Sequence, residues 1–505
     1  MTNPLFDTLL GAHEGRQTPF LYLPDGSTLT HDVFLRQIAR FAHALTAMGL
    51  APGDRLAAQI EKSPEGLALY GACVQAGVVF LPLNTGYTTE ELTYFIEDSG
   101  AKLVVCDDAR AAALTPLAER FGARLATLNA DGSGSLSEAA AAQPDRFETV
   151  ARSPDDLAAF LYTSGTTGRS KGAMLTQGNL LSNALTLKDL WRFTAQDVLL
   201  HALPVFHTHG LFVASNVTLA AGGAMVFLPK FDLDDVIGWL PKSTALMGVP
   251  TFYTRLLSDD RFTQDLAAHM RLFVSGSAPL LAETHAAFEA RTGHRILERY
   301  GMTETNMNTS NPYDGDRRAG TVGFPLPGVE LKITDPKTGA SLPQGEIGQI
   351  EVRGPNVFKG YWQMPEKTAA ELRADGFFIT GDLGVIDADG YVSIVGRDKD
   401  LIISGGYNIY PKEVELALDE QPGVLESAVI GVPHPDFGET VVGLIVPAPG
   451  QTPDIEQIAD AAGAVLARFK HPRRLIVIDA LPRNTMGKVQ KNQLRARYAD
   501  LFTQG

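Results

Sequence analysis

Cysteine is scarce in this sequence: the 505 residues include only Cys73 and Cys106, and both lie in apolar stretches. Neither cysteine belongs to a C-x-x-C pair or to another metal-ligand spacing, which argues against a disulfide framework and against a cysteine-bound metal. We therefore expect two buried thiols in a reducing compartment, and we predict a cytoplasmic protein.

Positive charge and long apolar runs are also lacking. The 43 Lys and Arg residues are outnumbered by 58 Asp and Glu residues, which gives a net charge of −15. Proteins that bind nucleic acids or anionic membranes usually carry a basic excess, so neither partner is expected. No apolar run of the sequence approaches the about 18 residues that a membrane-spanning helix needs. Residues 1–25 contain a single basic residue, Arg16, so neither a signal peptide nor a transit peptide is predicted.

Sequence support for two common enzyme classes is lacking as well. No G-x-G-x-x-G follows a predicted strand, which argues against a dehydrogenase. The one G-x-S-x-G match, GRSKG at 168–172, lies inside a Gly- and Thr-rich loop and is not predicted to form a nucleophile elbow, which argues against a hydrolase of that type. The composition nevertheless favours a soluble enzyme. Because these two motifs do not account for its activity, other motifs have to indicate its chemistry.

The length and the pattern of apolar residues predict a large α/β protein. A chain of 505 residues exceeds the about 250–300 that one hydrophobic core usually reaches, so at least two packed units are expected. Short apolar runs such as 103–106, 224–228 and 271–275 alternate with helix-length segments, which favours mainly parallel sheets with helical crossovers. The Gly- and Ser-rich segment 131–143 is predicted to be a surface connection between subdomains.

The pattern changes in the last third of the chain. Residues 325–397 have the pattern of short strands with alternating apolar and polar residues, separated by Gly and Pro turns. This pattern predicts a small β-rich, barrel-like segment. After GRDKD at 396–400 a helix and strands follow, which predicts a small α+β domain. We therefore divide the chain into residues 1–397 and residues 398–505.

The first strong motif is LYTSGTTGRSKG at 161–172, which directly follows an apolar strand. Glycines let several backbone N–H groups converge, while the hydroxyl residues, Arg169 and Lys171 add donors for phosphate oxygens. The motif is not a Walker A loop, because Lys171 is preceded by Ser170 and followed by Gly172. It predicts a different kind of phosphate-binding loop.

This loop resembles the signature of the adenylate-forming superfamily, which includes acyl-CoA synthetases, luciferases and peptide-synthetase adenylation domains. Further segments resemble the family's motifs in the family's order. These segments are PVFHTHG at 204–210, SGSAP at 275–279, RYGMTE at 299–304, TGD at 380–382, GRDKD at 396–400, SGGYN at 404–408 and PRNTMGK at 482–488. The resemblance implies a mobile C-terminal domain that rotates about Lys399, and an enzyme that uses ATP, Mg²⁺ and coenzyme A.

The resemblance also implies roles for the nucleotide-binding residues. Attack of a carboxylate on the α-phosphate of ATP expels pyrophosphate, and it needs fixed cations at the phosphates. Lys488 would be the catalytic cation, with His207 and Glu304 as the other catalytic residues, and Thr166 would join Glu304 in binding Mg²⁺. Asp382 and Arg397 would bind the ribose, and Tyr300 would lie against the adenine. The complete implied set for ATP or AMP is Thr163, Ser164, Gly165, Thr166, Thr167, Gly168, Lys171, Gly276, Ser277, Ala278, Glu298, Tyr300, Gly301, Met302, Thr303, Asp382, Arg397 and Lys488.

Coenzyme A would be bound after the C-terminal domain has rotated. Gly405 and Gly406 would line the pantetheine tunnel, because glycines leave room for a narrow chain. Ser404, Tyr407 and Arg473 complete the implied set for coenzyme A.

The segments expected around the acid are polar or cationic rather than apolar. Because a buried carboxylate without a partner costs several kcal/mol, buried arginines here would imply a second carboxylate on the substrate. HTHGLFVASNVTL and ERYGMTETNMNTSNPYDGDR resemble segments of malonyl-CoA synthetases, which implies that malonate, ATP and coenzyme A give malonyl-CoA, AMP and pyrophosphate. Arg255, Ser277 and Arg299 would hold the distal carboxylate. His207, Thr208 and Met307 would line the rest of the acid pocket.

Several alternatives stay open at this point. The substrate of a related synthetase would be another small, medium-chain or aromatic acid. A peptide-synthetase module or a luciferase-like enzyme would share the adenylation step, whereas a non-catalytic nucleotide sensor would not need Lys488. His201, His207 and His209 allow a zinc site, although no carboxylate or cysteine completes the set. We expect a monomer or weak homodimer, with a lysine acetyltransferase acting on Lys488 as a further partner.

Overall fold

The computed structural model describes residues 2–163, 170–405, 407–484 and 487–502. The chain divides into two compact units, one comprising Met1–Glu330 and Val352–Phe378, the other Leu331–Glu351 and Ile379–Gly505. Within the described ranges, no helix is both long enough and apolar enough to cross a membrane.

The first unit is an α/β body with two large sheets. One sheet has the strand order β6-β5-β3-β4-β7-β8 and is parallel except for the final pair. The other has the order β15-β14-β13-β12-β11-β9-β10-β1-β2, with a parallel centre and antiparallel ends. The strands are β1 (Pro19–Tyr22), β2 (Thr28–Thr30), β3 (Arg55–Gln59), β4 (Val79–Pro82), β5 (Leu103–Cys106), β6 (Arg124–Thr127), β7 (Leu157–Thr163), β8 (Lys171–Thr176), β9 (Val198–His201), β10 (Ala224–Phe227), β11 (Ala245–Gly248), β12 (Leu272–Ser275), β13 (Leu297–Met302), β14 (Asn306–Ser310) and β15 (Phe324–Pro325).

Helices connect these strands, as expected for parallel pairs. Their ends follow ordinary capping chemistry: Ser63 caps a helix that begins at Pro64, and Gly77 ends it in the left-handed conformation. The α-helices are α1 (Pro4–Leu9), α2 (His31–Ala47), α3 (Pro64–Ala76), α4 (Thr89–Ser99), α5 (Asp108–Arg120), α6 (Ser135–Ala141), α7 (Gln177–Leu190), α8 (Asn216–Ala221), α9 (Leu233–Trp239), α10 (Pro250–Leu257), α11 (Gln264–Ala267), α12 (Ala282–Thr292) and α13 (Pro365–Glu371). A π-helix, His209–Ser215, precedes α8.

The second unit contains two smaller sheets. One has the order β16-β17-β18-β19, and the other has the order β21-β20-β23-β22, with β24 paired in parallel to β23. The strands are β16 (Glu330–Thr334), β17 (Gly348–Arg353), β18 (Phe378–Ile386), β19 (Val392–Arg397), β20 (Ile402–Ser404), β21 (Tyr407–Ile409), β22 (Val424–His434), β23 (Gly438–Pro447) and β24 (Arg474–Val477), and the helices are α14 (Pro411–Asp419), α15 (Ile455–Val465) and α16 (Lys491–Arg497). Apolar residues of α14, α15, β22 and β23 form one core cluster of this unit.

The α/β fold with mainly parallel sheets is confirmed. Strands β16 to β19 lie within the predicted β-rich segment, whose bounds of 325–397 stay a prediction. The expectation for residues 131–143 is wrong. Helix α6 forms there, and Leu136 and Ala140, one turn apart, are both buried. The segment does not separate two subdomains either, because β6 before it and β7 after it belong to the same sheet.

Candidate active site

Three sequence motifs and the segment 249–255, which contains Arg255, lie at one edge of the second sheet of the first unit. Strands β9, β11, β12 and β13 run parallel, so their carboxyl ends lie on the same side. PVFHTHG follows β9, VPTFYTR follows β11, SGSAP follows β12, and RYGMTE lies along and after β13. Crevices outside the carboxyl ends of parallel strands are the usual binding sites of α/β proteins.

Arg299 is a buried cation at this edge. Its side chain is only 4% exposed, and its Nε atom and one terminal nitrogen have no hydrogen-bond partner in the structure. A Cβ atom on Gly276 would lie 2.3 Å from its Cζ atom, so the guanidinium lies flat against this glycine. Burial lowers the pKa of Arg299 to about 9. Because an unpaired buried charge is costly, the arrangement calls for an anion.

Residues 207–209 add neutral polar groups to the same region. Within the described part of the chain, the buried atoms His207 Nε2, Thr208 Oγ1 and His209 Nε2 have no hydrogen-bond partner, while His209 Nδ1 lies 3.1 Å from Ser277 Oγ. Burial lowers the pKa of His207 to about 4 and that of His209 well below its ordinary value, the latter also because of the nearby charge of Arg299. Both imidazoles are therefore neutral at pH 7 and can hydrogen-bond a ligand without adding charge.

The zinc alternative finds no geometric support in the part of the chain that the structure describes, where no cluster of three or more His, Cys, Asp or Glu side chains is placed to hold a metal. His201 is turned to other partners: its Nε2 atom lies 2.9 Å from the carbonyl oxygen of Gly210.

Ser277 and Met307 complete the predicted acid pocket. Ser277 has a φ of +72°, a strained value for a residue other than glycine, and such strain often occurs at binding sites. Met307 is 2% exposed and lies opposite Gly301 in the β13–β14 pair. A Cβ atom on Gly301 would approach Met307 Cε to 2.6 Å, so the glycine lets the methionine side chain fill this space.

Arg255 is not brought into the buried cluster. It lies on the exposed side of α10, whose Phe252, Tyr253 and Leu256 are buried, and its guanidinium is stacked 5.7 Å from the ring centre of Phe231. Of the two predicted carboxylate-binding arginines, only Arg299 is therefore enclosed by the fold.

A second polar network holds Glu304, the predicted Mg²⁺ ligand. Glu304 is 5% exposed, and its Oε1 atom lies 3.0 Å from the hydroxyl of Tyr361. The same hydroxyl lies 2.6 Å from Glu371 Oε2 and accepts a hydrogen bond from Lys171 Nζ at 3.1 Å. Mg²⁺ is usually held by one or two carboxylates together with substrate phosphates, so this buried glutamate fits the ion.

Sequence reasoning missed Tyr361, because its partner Glu304 is 57 positions away and no motif marks it. It also left His209 out of the acid-binding residues, although the alternating H-x-H pattern after β9 was a usable signal.

The remaining predicted nucleotide residues of the first unit lie on or after strands β7, β12 and β13. Glu298 is buried on β13 and accepts a hydrogen bond from the backbone N–H of Gly320 at 3.2 Å. The buried hydroxyl of Thr163, at the end of β7, has no hydrogen-bond partner among the described residues. Tyr300, Gly301, Met302 and Thr303 are half-buried on and after β13, and Gly276 and Ala278 follow β12. Ser164, Gly165, Thr166, Thr167, Gly168 and Arg169 lie outside the described residues.

In the second unit, Asp382 and Arg397 are joined by a salt bridge of 2.6 Å and lie opposite each other in the β18–β19 pair. Asp382 is 4% exposed. Lys488 is an exposed residue overall. Its pKa is nevertheless lowered to about 8, mainly by desolvation of the ammonium and secondly by the positive charge of Arg397. Lys399, the predicted hinge, lies in a 3₁₀ turn, Asp398–Asp400, between β19 and β20.

The residues predicted to bind coenzyme A also lie in the second unit. Ser404 and Tyr407 are register partners at the β20–β21 turn, and the ring of Tyr407 stacks on Phe469 at 4.7 Å. Gly405 has a left-handed φ of +56°, which favours glycine there. The guanidinium of Arg473 lies 4.3 Å from the ring centre of Phe437. Gly406 lies outside the described residues.

The sequence and the fold are similar to those of known proteins. Residues 11–362 match the AMP-binding enzyme family, and residues 413–488 match the AMP-binding enzyme C-terminal domain. A malonate–CoA ligase of Arabidopsis thaliana is 37% identical over 481 residues, which cover 88% of this chain and 78% of that protein. A feruloyl-CoA synthase of Amycolatopsis is also 37% identical, over 477 residues and 94% of each chain. The crystal structure of ATP-bound MatB from Rhodopseudomonas palustris is 58% identical, with a TM-score of 0.98 over 99% of this chain and 100% of that one.

Proposed function

Because the chain belongs to the AMP-binding enzyme family, we propose that it joins malonate to coenzyme A in an ATP-dependent reaction. In the first step a carboxylate oxygen of malonate attacks the α-phosphorus of ATP, and the bond to pyrophosphate breaks. In the second step the thiol of coenzyme A attacks the acyl carbon, and AMP leaves with the electrons of the broken C–O bond. The products are malonyl-CoA, AMP and pyrophosphate.

The observation that carries the choice of acid is the buried guanidinium of Arg299. Its Nε and terminal N–H groups without a partner among the described residues can donate hydrogen bonds to a carboxylate that does not react, and the nearby polar atoms of residues 207–209 and Ser277 can hydrogen-bond the same anion. A monocarboxylate would use its only charge at the phosphate and leave this guanidinium unpaired. The Arabidopsis relative, a malonate–CoA ligase, supports the same choice.

The first-unit residues bind and orient the substrates. Arg299 and Ser277 hold the distal carboxylate, while Thr208 and Met307 limit the space around the central carbon. His207 acts beside the reacting carboxyl as a neutral hydrogen-bonding group, because its pKa is lowered to about 4 by burial. Arg255, which is exposed, would contribute only at the edge of the pocket.

Nucleotide-binding roles are proposed for residues of each unit separately. Glu304, positioned by Tyr361, would hold Mg²⁺, which neutralises phosphate charge when bound; Thr166 was predicted as its second ligand. Lys171, with the rest of the Gly- and Thr-rich loop, would bind the phosphates. Asp382, oriented by Arg397, would accept hydrogen bonds from the ribose hydroxyls, and the protonated ammonium of Lys488 would stabilise charge developing at the α-phosphate.

The second step is proposed to follow a rotation of residues 398–505 about Lys399. The stacked ring of Tyr407 and the backbone at Gly405 then contact coenzyme A, and Arg473 contributes positive charge for its phosphates. The cytoplasmic location, the monomer or weak homodimer, and acetylation of Lys488 stay predictions.

An aromatic or another small acid is the second candidate, because a feruloyl-CoA synthase is as similar in sequence as the malonate–CoA ligase. An aromatic acid offers no second carboxylate to Arg299. The buried, unpaired guanidinium therefore favours malonate over this alternative.

A panel of acids tests the proposed function. A pocket distinguishes one methyl group by about 1–3 kcal/mol, whereas it rejects a substrate that leaves a buried polar partner unpaired by about 10⁴-fold or more. Malonate is expected to be the best substrate, methylmalonate a poorer one, and acetate, butyrate and ferulate very poor, as measured by kcat/KM for AMP release. Comparable efficiency with butyrate or ferulate would contradict the proposal.

The proposed role of Lys488 predicts a pH dependence of the first step. Its pKa is lowered to about 8, so the ammonium is charged below that pH and loses its proton as the pH rises through it. At saturating malonate, kcat/KM for ATP, which reports the free enzyme and is measured by pyrophosphate release, is therefore expected to fall above pH 8. The residual activity of the Lys488→Ala variant should lack this decline. A wild-type kcat/KM for ATP that stays flat from about pH 7 to about pH 9.5 would exclude Lys488 as the titrating cation.

A further inference from the structure

Lys62 lies buried in the first unit without a carboxylate partner among the described residues. It is 8% exposed and follows β3 of one sheet. Its Nζ atom lies 2.7 Å from the carbonyl oxygen and 2.9 Å from the Nδ1 atom of His201, which ends β9 of the other sheet. The ammonium also lies 4.2 Å from the ring centre of Phe227. Both hydrogen bonds of Lys62 in the described part of the chain are therefore made to His201.

Burying a lysine in this way is costly, and burial lowers its pKa well below the ordinary value. A methionine of similar length would fill the same space without desolvating a charge. The fold therefore buries a costly polar group at a position where an apolar side chain would pack equally well. This indicates that the hydrogen bonds from Lys62 to His201 serve a purpose other than packing.

His201 connects Lys62 to the backbone of the predicted acid pocket. Because Nδ1 accepts from Lys62, the imidazole proton is on Nε2, which donates to the carbonyl oxygen of Gly210 at 2.9 Å. Gly210 lies in the first turn of the π-helix and directly follows Thr208 and His209. A Cβ atom at Gly210 would lie 2.0 Å from the carbonyl oxygen of Pro204. The backbone of Gly210 therefore also packs closely against the backbone of Pro204.

We propose that Lys62, acting through His201, is a positioning residue for the acid pocket. It fixes the ring orientation and tautomer of His201, which in turn holds the Gly210 carbonyl and sets the direction of the side chains of Thr208 and His209. This inference rests on the proposed activation of an acid at that pocket. Lys62 touches no reacting atom, so its loss is expected to weaken acid binding and leave nucleotide binding unchanged.

The test is Lys62→Met in the full-length protein. A small misplacement of pocket groups costs up to about 100-fold in rate, so kcat/KM for malonate is expected to fall about 10- to 100-fold, mainly through KM. The KM for ATP is expected to stay within about twofold of the wild type, although the loss of the donor to the buried Nδ1 atom of His201 lowers the unfolding temperature. An unchanged malonate KM would overturn the proposal, and so would equal rises of both KM values.

Two further variants sharpen the result. His201→Gln removes the same connection from its other end and is expected to show the same selective rise in malonate KM. Lys242→Met, at an exposed lysine whose ammonium lies 3.8 Å from the Tyr22 ring centre, is the matched control and should behave as wild type. If Lys62→Met and His201→Gln both fail to fold, the pair serves the fold and the proposal is overturned. Failure of the wild type to activate malonate would instead contradict the proposed function.

Discussion

Replacing Lys488 with alanine is expected to reduce malonate-dependent pyrophosphate release by about 100- to 1,000-fold, the usual effect of removing one donor that stabilises transition-state charge. The loss should appear in kcat, because the ammonium interacts with charge that develops only as the α-phosphorus is attacked. The second step does not use this charge. The variant is therefore expected to convert chemically supplied malonyl-adenylate and coenzyme A to malonyl-CoA at nearly the wild-type rate.

Lys337→Ala provides the control, since it removes one exposed lysine from the same unit. It should leave both half-reactions unchanged, so that a general loss of positive charge is excluded as the cause. Equal losses in pyrophosphate release and in thiolysis would show that Lys488 supports the fold of its unit or a step common to both reactions.

Replacing Arg299 with methionine is expected to have an equally large effect on the use of malonate. Removing one partner of a buried ion pair costs about 3–5 kcal/mol, because the other charge stays buried without compensation. Each 1.4 kcal/mol corresponds to about a factor of ten, so kcat/KM for malonate should fall by about 10²–10⁴. The KM for ATP should change little, and turnover of acetate or butyrate should not fall in parallel. Parallel loss of all acids would show that Arg299 supports the site structurally.

Gly276→Ala tests the same guanidinium without changing its charge. The added Cβ atom would lie 2.3 Å from Arg299 Cζ, so the side chain has to move and malonate kcat/KM should fall. Gly238→Ala is the control: nothing lies within 4 Å of a Cβ atom at this helical glycine, and the change should stabilise the protein by about 0.4–1 kcal/mol. Arg255→Met, at an exposed arginine, should have a much smaller effect on malonate than Arg299→Met.

The contrast between the two arginines shows what the sequence can predict here. Motif chemistry is local, so residue types and spacing within 204–210 and 299–304 are enough for the family resemblance to predict that both segments belong to the site. Whether a given arginine is enclosed depends on which face of its element packs against the body. For Arg255 that face is set by the burial of Phe252, Tyr253 and Leu256, and the motif does not reveal it.

Contacts over long sequence separations were not predictable. Lys62 and His201 are 139 positions apart, and Lys62 belongs to no motif. The fold class was predictable because short apolar runs alternating with helices recur along the chain. Helix α6 was not, because Gly and Ser residues around it obscured an apolar pair one turn apart, Leu136 and Ala140.

The most direct test of the account is to incubate the protein with ATP, Mg²⁺, coenzyme A and either malonate or butyrate at equal concentration, and to quantify acyl-CoA, AMP and ADP. With malonate, malonyl-CoA and AMP should form in equal amounts, ADP should be absent, and omitting coenzyme A should stop turnover at the bound adenylate. With butyrate, little product of any kind should form. Formation of ADP, or butyryl-CoA at a rate comparable to malonyl-CoA, would contradict malonate activation at a site built around Arg299.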